Sequence, residues 1–83
     1  MTLKLLYFAR LKESFGRAEE TVAFDGQTVA GLIDELAARG GAWSTELAPG
    51  RVFRVAVNQE LAPPSTELAA GDEVAIFPPV TGG

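Results

Sequence analysis

The sequence predicts an α+β domain in which a mixed sheet of four to five strands packs on one main helix, with an extended C-terminal tail. Three observations carry that prediction. Short segments of alternating apolar residues stand at both ends and in the middle of the chain, and alternation with period two marks a strand buried on one face. One segment, from Thr28 to Arg39, carries apolar residues at helical spacing instead. The last strand candidate runs into Pro78-Pro79, which have no N–H to give a sheet and bias the backbone toward an extended form.

Leu3 to Phe8 opens the chain as a strand, with Leu3, Leu5 and Tyr7 on one face and Lys4, Leu6 and Phe8 on the other. Arg10 to Gly16 leaves it as a polar segment with room for a single helical turn. Thr21 to Phe24 alternates again, and Asp25-Gly26 supplies a turn, so the first two strands are expected to be antiparallel. Thr28 is a good N-cap, and Val29, Leu32, Ile33 and Leu36 form a helical stripe that ends at Arg39 and Gly40-Gly41. Gly31 inside this helix costs about 1 kcal/mol relative to alanine, which predicts close packing there. Trp43 to Leu47 reads as a short helical turn, with Trp43 plugging the core.

Val52 to Val57 is the strongest strand signal and is expected at the centre of the sheet, with Phe53, Val55 and Val57 on one face and Arg54 and Ala56 on the other. Asn58-Gln59 turns the chain, Leu61 starts a short edge strand, and Pro63-Pro64 ends it. Glu67-Leu68 reads as a single turn, Ala70-Gly71-Asp72 as another, and Glu73 to Phe77 as the last strand. Strand, strand, helix, strand, short strand, strand is the order of a β-grasp domain, whose first and last strands run parallel in the middle of the sheet. Residues 1–77 are expected to form this domain, and residues 78–83 the tail.

With 83 residues the chain builds one small core. Its hydrophobic fraction of 47%, regularly patterned, argues for a globular chain. There is no cysteine and no histidine. That excludes disulfides, thiolate chemistry, histidine bases and the usual zinc sites together, and no metal is expected. The net charge is -4, and no Lys or Arg follows Arg54, whereas Glu60, Glu67, Asp72 and Glu73 do. Nucleic acid is therefore not an expected partner; a basic partner surface would complement the acidic back third, with plain solubility as the other reading. The apolar run Leu5 to Ala9 is too short for a signal core and nothing is long enough to span a membrane, so a cytoplasmic location is expected.

Val74 to Gly83 reads Val-Ala-Ile-Phe-Pro-Pro-Val-Thr-Gly-Gly. Pro78 and Pro79 stop the ladder and keep Phe77 and Pro78 extended. Val80 and Thr81 are β-branched and stay extended. Gly82 and Gly83 offer a backbone without side chains that fits a narrow channel, with the Gly83 carboxylate at its end. From Pro78 to Gly83 the extended reach is about 20 Å, at about 3.3 Å per residue. A frayed end is the alternative reading. The stiff Pro-Pro lead-in favours a tail built to enter a partner's active site, unordered until it does.

If the helix covers the face of Leu5, Val55, Val74 and Ile76, the opposite face carries Lys4, Leu6, Phe8, Arg54, Ala56, Ala75 and Phe77. Phe8 and Phe77 then form an exposed patch beside the root of the tail, of the kind that marks partner sites, unless the loop around Trp43 folds over them.

The ending Gly71-Asp72-Glu73-Val74-Ala75-Ile76-Phe77-Pro78-Pro79-Val80-Thr81-Gly82-Gly83 closely resembles that of the small, sulfur-carrying subunits of molybdopterin synthase. Leu6-Tyr7-Phe8-Ala9-Arg10-Leu11-Lys12-Glu13 and Ala56-Val57-Asn58-Gln59 also resemble that family. The resemblance implies a ubiquitin-like β-grasp fold and a Gly83 carboxylate that a ubiquitin-activating-like enzyme adenylates with ATP, after which it becomes a thiocarboxylate. It further implies that the tail enters the large subunit, where the sulfur passes to cyclic pyranopterin monophosphate to build the molybdopterin dithiolene. The family's assembly is a heterotetramer with two large subunits at the centre. Its hydrophobic docking positions match Phe8, Leu61 and Phe77, and a basic position near the tail root matches Lys12. The subunit would bind no permanent cofactor, ATP being used by the activating enzyme, and the catalytic groups would lie on its partners. Asp72 and Glu73 are either contacts for the activating enzyme or a Gly-Asp turn before a strand. Rival readings are a sulfur carrier for thiamine thiazole or tRNA thiolation, a modifier that joins lysines of other proteins, and an interaction module whose tail is idle.

Overall fold

The computed structural model describes residues 1–79. Its elements in chain order are β1 (Thr2–Tyr7), α1 (Ala9–Phe15), β2 (Glu19–Ala23), α2 (Val29–Ala37), α3 (Gly41–Glu46), β3 (Arg54–Val57), β4 (Glu60–Leu61) and β5 (Glu73–Phe77). The five strands form one sheet in the order β2-β1-β5-β3-β4. β1 and β5 run parallel at its middle, and the other pairings are antiparallel. This is the expected β-grasp arrangement, with five strands.

Alternation along β1 and β5 decides the core. Leu3, Leu5 and Tyr7 of β1 and Val74 and Ile76 of β5 are buried on one face, where they meet Leu11 and Phe15 of α1, Val29, Leu32 and Leu36 of α2, and Leu47. Burying each large apolar side chain is worth about 1.5–3 kcal/mol, so this single cluster is the main favourable term. Thr28 caps α2 as expected, its hydroxyl accepting a 3.2 Å hydrogen bond from the Gly31 N–H.

Several local expectations are corrected. The segment after β1 is a helix of 7 residues, not a single polar turn. Leu11 and Phe15 are spaced i,i+4, so one face of a helix buries both, and tertiary burial outweighs the polar composition. The strand expected from Val52 begins only at Arg54, and Val52 is 55% exposed. Arg54 pairs with Phe77, the last residue of β5; beyond it Pro78 has no N–H to donate, so the ladder stops. The middle position belongs to β5, with β3 one place out. β2 starts two residues earlier than expected, at Glu19. Glu67 is bridged to Thr28 instead of turning, and Leu68 is buried.

Gly31 also differs from expectation. A Cβ there would lie 3.5 Å from the Phe24 ring, ordinary contact distance. The tight position is Gly26, where a Cβ would lie 2.4 Å from Phe24 Cζ. Asn58 and Gln59 both have positive φ, 50° and 72°, the conformation that a two-residue hairpin needs to match strand twist.

Candidate docking site at the tail root

The register of the sheet assembles the face opposite the helices. Leu6 pairs with Ala75, Ala75 with Ala56, and Ala56 with Leu61. Directly paired residues share a face, so these four form one row across the sheet, low at the two alanines and high at its ends. Arg54 and Phe77 form the next row, and Phe8 continues β1 beside them, its N–H donating to the Ile76 carbonyl at 3.2 Å. The row on the other side holds Lys4 and Glu73.

Phe8 is 48% exposed and Leu61 72%, while Phe77 is half-buried. Trp43 does not cover them. It lies on the helix side, stacked on Phe15 at 3.8 Å between ring centroids and edge-on to Tyr7 at 5.3 Å, with the Arg39 guanidinium 4.4 Å above it. Three of the expected docking residues therefore share an open, apolar-centred face. Lys12 is exposed on α1, one helical turn beyond Phe8. Ala9, between Phe8 and the rest of α1, has φ 52°, and this left-handed residue turns the chain back toward the core while Phe8 stays on the open face.

Pro78 and Pro79 follow β5, half-buried and outside the ladder. Val80, Thr81, Gly82 and Gly83, and with them the expected order of the tail, lie outside the described residues.

The acidic pair at the foot of β5 has a local role. Asp72 accepts hydrogen bonds from the Ala69 N–H at 2.8 Å and from Asn58 Nδ2 at 3.0 Å, and the Asn58 side-chain oxygen accepts from the Glu73 N–H at 3.0 Å. The backbone bond from Ala69, followed by that from Asn58, holds the Asp72 carboxyl below its ordinary range. Asp72 thus ties the turn before β5 to the β3–β4 hairpin, as a Gly-Asp turn requires. Sequence reasoning placed Arg54 on the open face but gave it no role; only the register sets it opposite Phe77.

Two carboxylates clamp the helix side. Glu46, 8% exposed, receives the Ser14 hydroxyl at 2.8 Å and is paired with Arg10 at 3.3 Å and Arg51 at 2.9 Å. Glu20 receives Tyr7, Arg17 and Arg39. Neither lies on the open face.

The sequence profile of the ThiS family matches residues 5–83. The chain belongs to the ThiS family. Within it, the molybdopterin synthase sulfur carrier subunit of Escherichia coli (strain K12) is 43% identical over 98% of this chain and 99% of its own length. Among solved structures, the crystal structure of SAMP1, a small archaeal modifier protein of Haloferax volcanii, is similar with a TM-score of 0.83 and 34% identity, covering 100% of both chains. A putative molybdopterin converting factor, subunit 1, from Pyrococcus furiosus has a TM-score of 0.81 and 29% identity, covering 96% of this chain and 99% of its own. No helix among the described residues is long and apolar enough to cross a membrane.

Proposed function

We propose that this chain is the sulfur carrier subunit of molybdopterin synthase. The observation that carries the reading is the Phe-Pro-Pro-Val-Thr-Gly-Gly ending, launched from the middle strand beside an open apolar face, in a chain so similar to the Escherichia coli subunit of that name. Residues 1–77 act as the docking body and residues 78–83 as the arm. Phe8, Leu61, Phe77 and Lys12 seat the body on the large subunit of the synthase, and earlier on an adenylating enzyme of the ubiquitin-activating kind. The cytoplasm, where ATP is at hand, is the natural setting.

Gly83 carries the chemistry. A terminal carboxylate has an ordinary pKa of about 3.5 and is ionised at neutral pH, so its carbon resists nucleophiles until a leaving group is attached. Attack of a Gly83 carboxylate oxygen on the α-phosphorus of ATP forms an acyl-adenylate and releases pyrophosphate. A sulfur nucleophile then displaces AMP at the carbonyl carbon, leaving a thiocarboxylate, which passes its sulfur to cyclic pyranopterin monophosphate and returns to the carboxylate with oxygen from water. A chain with no Cys or His supplies neither thiolate nor histidine base, so the catalytic groups belong to the partners and this subunit acts as a co-substrate.

The test is intact and fragment mass spectrometry after incubation with ATP, an activating enzyme and a sulfur source. Fragmentation is required because oxidation of Met1 adds nearly the same mass as replacing one oxygen by sulfur. Sulfur mapped to Gly83, and its transfer when large subunit and pterin precursor are added, supports the reading; an unmodified Gly83 overturns it. A second reading, a modifier that forms amides with lysines of other proteins, is favoured by the likeness to the Haloferax volcanii modifier. It predicts high-mass conjugates that disappear when Gly83 is deleted.

A further inference from the structure

The chain carries seven Lys and Arg residues against eleven Asp and Glu. Lys4 is paired with Glu19, Arg10 and Arg51 with Glu46, and Arg17 and Arg39 with Glu20. Among the described residues this leaves two Lys and Arg side chains without an ion pair, Lys12 and Arg54. With carboxylates in excess, a cation that has no ion pair among the described residues is suited to meet a partner's carboxylate.

Their placement is specific. Phe77 ends the middle strand, and the tail begins at the next residue. Arg54 is the Cα partner of Phe77 on the β3 side. Phe8 abuts β5 on the β1 side, and Lys12 follows one helical turn later. Across the tail root the order is thus Phe8, Phe77, Arg54, with Lys12 exposed on the helix that follows Phe8. Arg54 is exposed, its side chain's one hydrogen bond among the described residues being a long 3.5 Å contact from Nη1 to the Phe53 carbonyl. Its fork of donors is left for an outside acceptor, and guanidinium matches carboxylate in a two-pronged geometry that an ammonium does not reproduce.

We propose that Arg54 is a specificity-determining docking residue, engaging a carboxylate on the large subunit of the synthase at the rim of an apolar contact centred on Phe8 and Phe77. Together with Lys12, on the helix that leaves Phe8, it fixes the direction in which the tail leaves the body, since charges set off the centre of a hydrophobic contact define an orientation that the apolar rings alone do not. The inference rests on the docking reading above and adds to it the partner's chemistry: an apolar surface flanked by two Asp or Glu side chains. Rim charges act mainly on association rate and register, and they are screened by salt.

The experiment is rapid-mixing association of the full chain with the large subunit, at about 0.05 M and about 0.5 M salt, well below and well above the ionic strength at which the screening length is about 10 Å. The variants are Arg54→Glu, Arg54→Gln and, as the apolar control, Phe8→Glu. The expected result is that Arg54→Glu slows association about tenfold or more at low salt, Arg54→Gln less, and that both defects shrink at high salt, as electrostatic steering does. Arg54→Gln, which keeps the side chain's length, serves if charge reversal harms the fold. Should both Arg54 variants associate like the native chain while Phe8→Glu does not, the docking face stands and the role of Arg54 falls. If Phe8→Glu also associates normally, the docking reading falls with it. A defect in Arg54→Glu that is undiminished at high salt equally overturns the proposal.

Discussion

Glu20 and Arg39 meet in a two-pronged ion pair, at 2.8 and 3.1 Å, and the same carboxylate accepts the Tyr7 hydroxyl at 2.6 Å. This joins β2 to the chain just past α2 and to the core face of β1. Burial, then the bond to Glu20, raises the Tyr7 pKa far above the ordinary phenol value, so the hydroxyl stays protonated and donating. Tyr7→Phe is expected to cost about 1 kcal/mol, the net worth of one hydrogen bond. Glu20→Ala should cost more, about 1–3 kcal/mol, because it leaves the Tyr7 hydroxyl without its acceptor. Urea unfolding of the two single variants and the double variant reads the coupling; strict additivity would show that the network is not a unit.

Acid should weaken the fold through its carboxylates. At Glu46 the hydrogen bond from Ser14, then that from Arg51, lowers the pKa, and at Asp72 the Ala69 N–H does the same. A carboxyl depressed in the folded state contributes stability that is fully present above its unfolded pKa, about 4, and is lost as pH falls through the folded value. The urea midpoint should therefore hold from neutral pH to about 5 and decline below about 4. Glu46→Gln should lower the neutral-pH midpoint and flatten that decline. An unchanged acid slope would remove Glu46 from the account.

Two glycines around Phe24 should respond in opposite directions. At Gly31 a methyl group fits at 3.5 Å from the ring, so Gly31→Ala is expected to stabilise by about 1 kcal/mol, the helix preference of alanine over glycine. At Gly26 the methyl would sit 2.4 Å from Cζ of a ring that is only 2% exposed. Gly26→Ala should destabilise by about 1–3 kcal/mol through overpacking. Thermal melts of the pair decide it, and a stabilised Gly26→Ala would mean that the Phe24 ring moves easily.

The β3–β4 hairpin holds a second measurable strain. Gln59 at φ 72° is in a region costly for a side-chain-bearing residue, so Gln59→Gly should raise stability by about 1 kcal/mol. Asn58→Ala should lower it, since the Asn58 side chain bonds both Asp72 and the Glu73 N–H. Amide exchange of the hairpin would report both changes locally.

Phe8 offers the cleanest separation of binding from folding. Its ring is half exposed and outside the core cluster, so Phe8→Glu is expected to leave the melting temperature nearly unchanged while weakening association with the large subunit by tenfold or more, as loss of a buried aromatic anchor does. A collapsed melting temperature would instead put Phe8 in the fold's own packing.

Much of this was legible in one dimension. Period-two alternation at Leu3-Leu5-Tyr7 and Val74-Ile76 named the buried face, and Thr28 with the stripe from Val29 to Leu36 named α2, because these signals repeat along the chain and depend on local geometry. α1 is legible only as a single turn, for the converse reason. Its two anchors, Leu11 and Phe15, sit among charged residues, and seven residues do not hold a helix without a core to bury them. The early end of the β3 ladder was hidden too, because Val52 and Phe53 have strand character and only the partner strand's proline denies them a donor.

The sequence by itself determined which side chains are apolar and at what period, the acidic balance, the absence of Cys and His, and the Pro-Pro-Val-Thr-Gly-Gly ending with its family resemblance. These are properties of residues and their neighbours along the chain. Only the tertiary structure decided that Phe8, Leu61, Phe77 and Arg54 share one open face, that Trp43 leaves it uncovered, and that Lys12 and Arg54 are the Lys and Arg side chains without ion pairs among the described residues. Strand register and ion pairing join residues far apart in sequence, and no local pattern encodes which of them will meet.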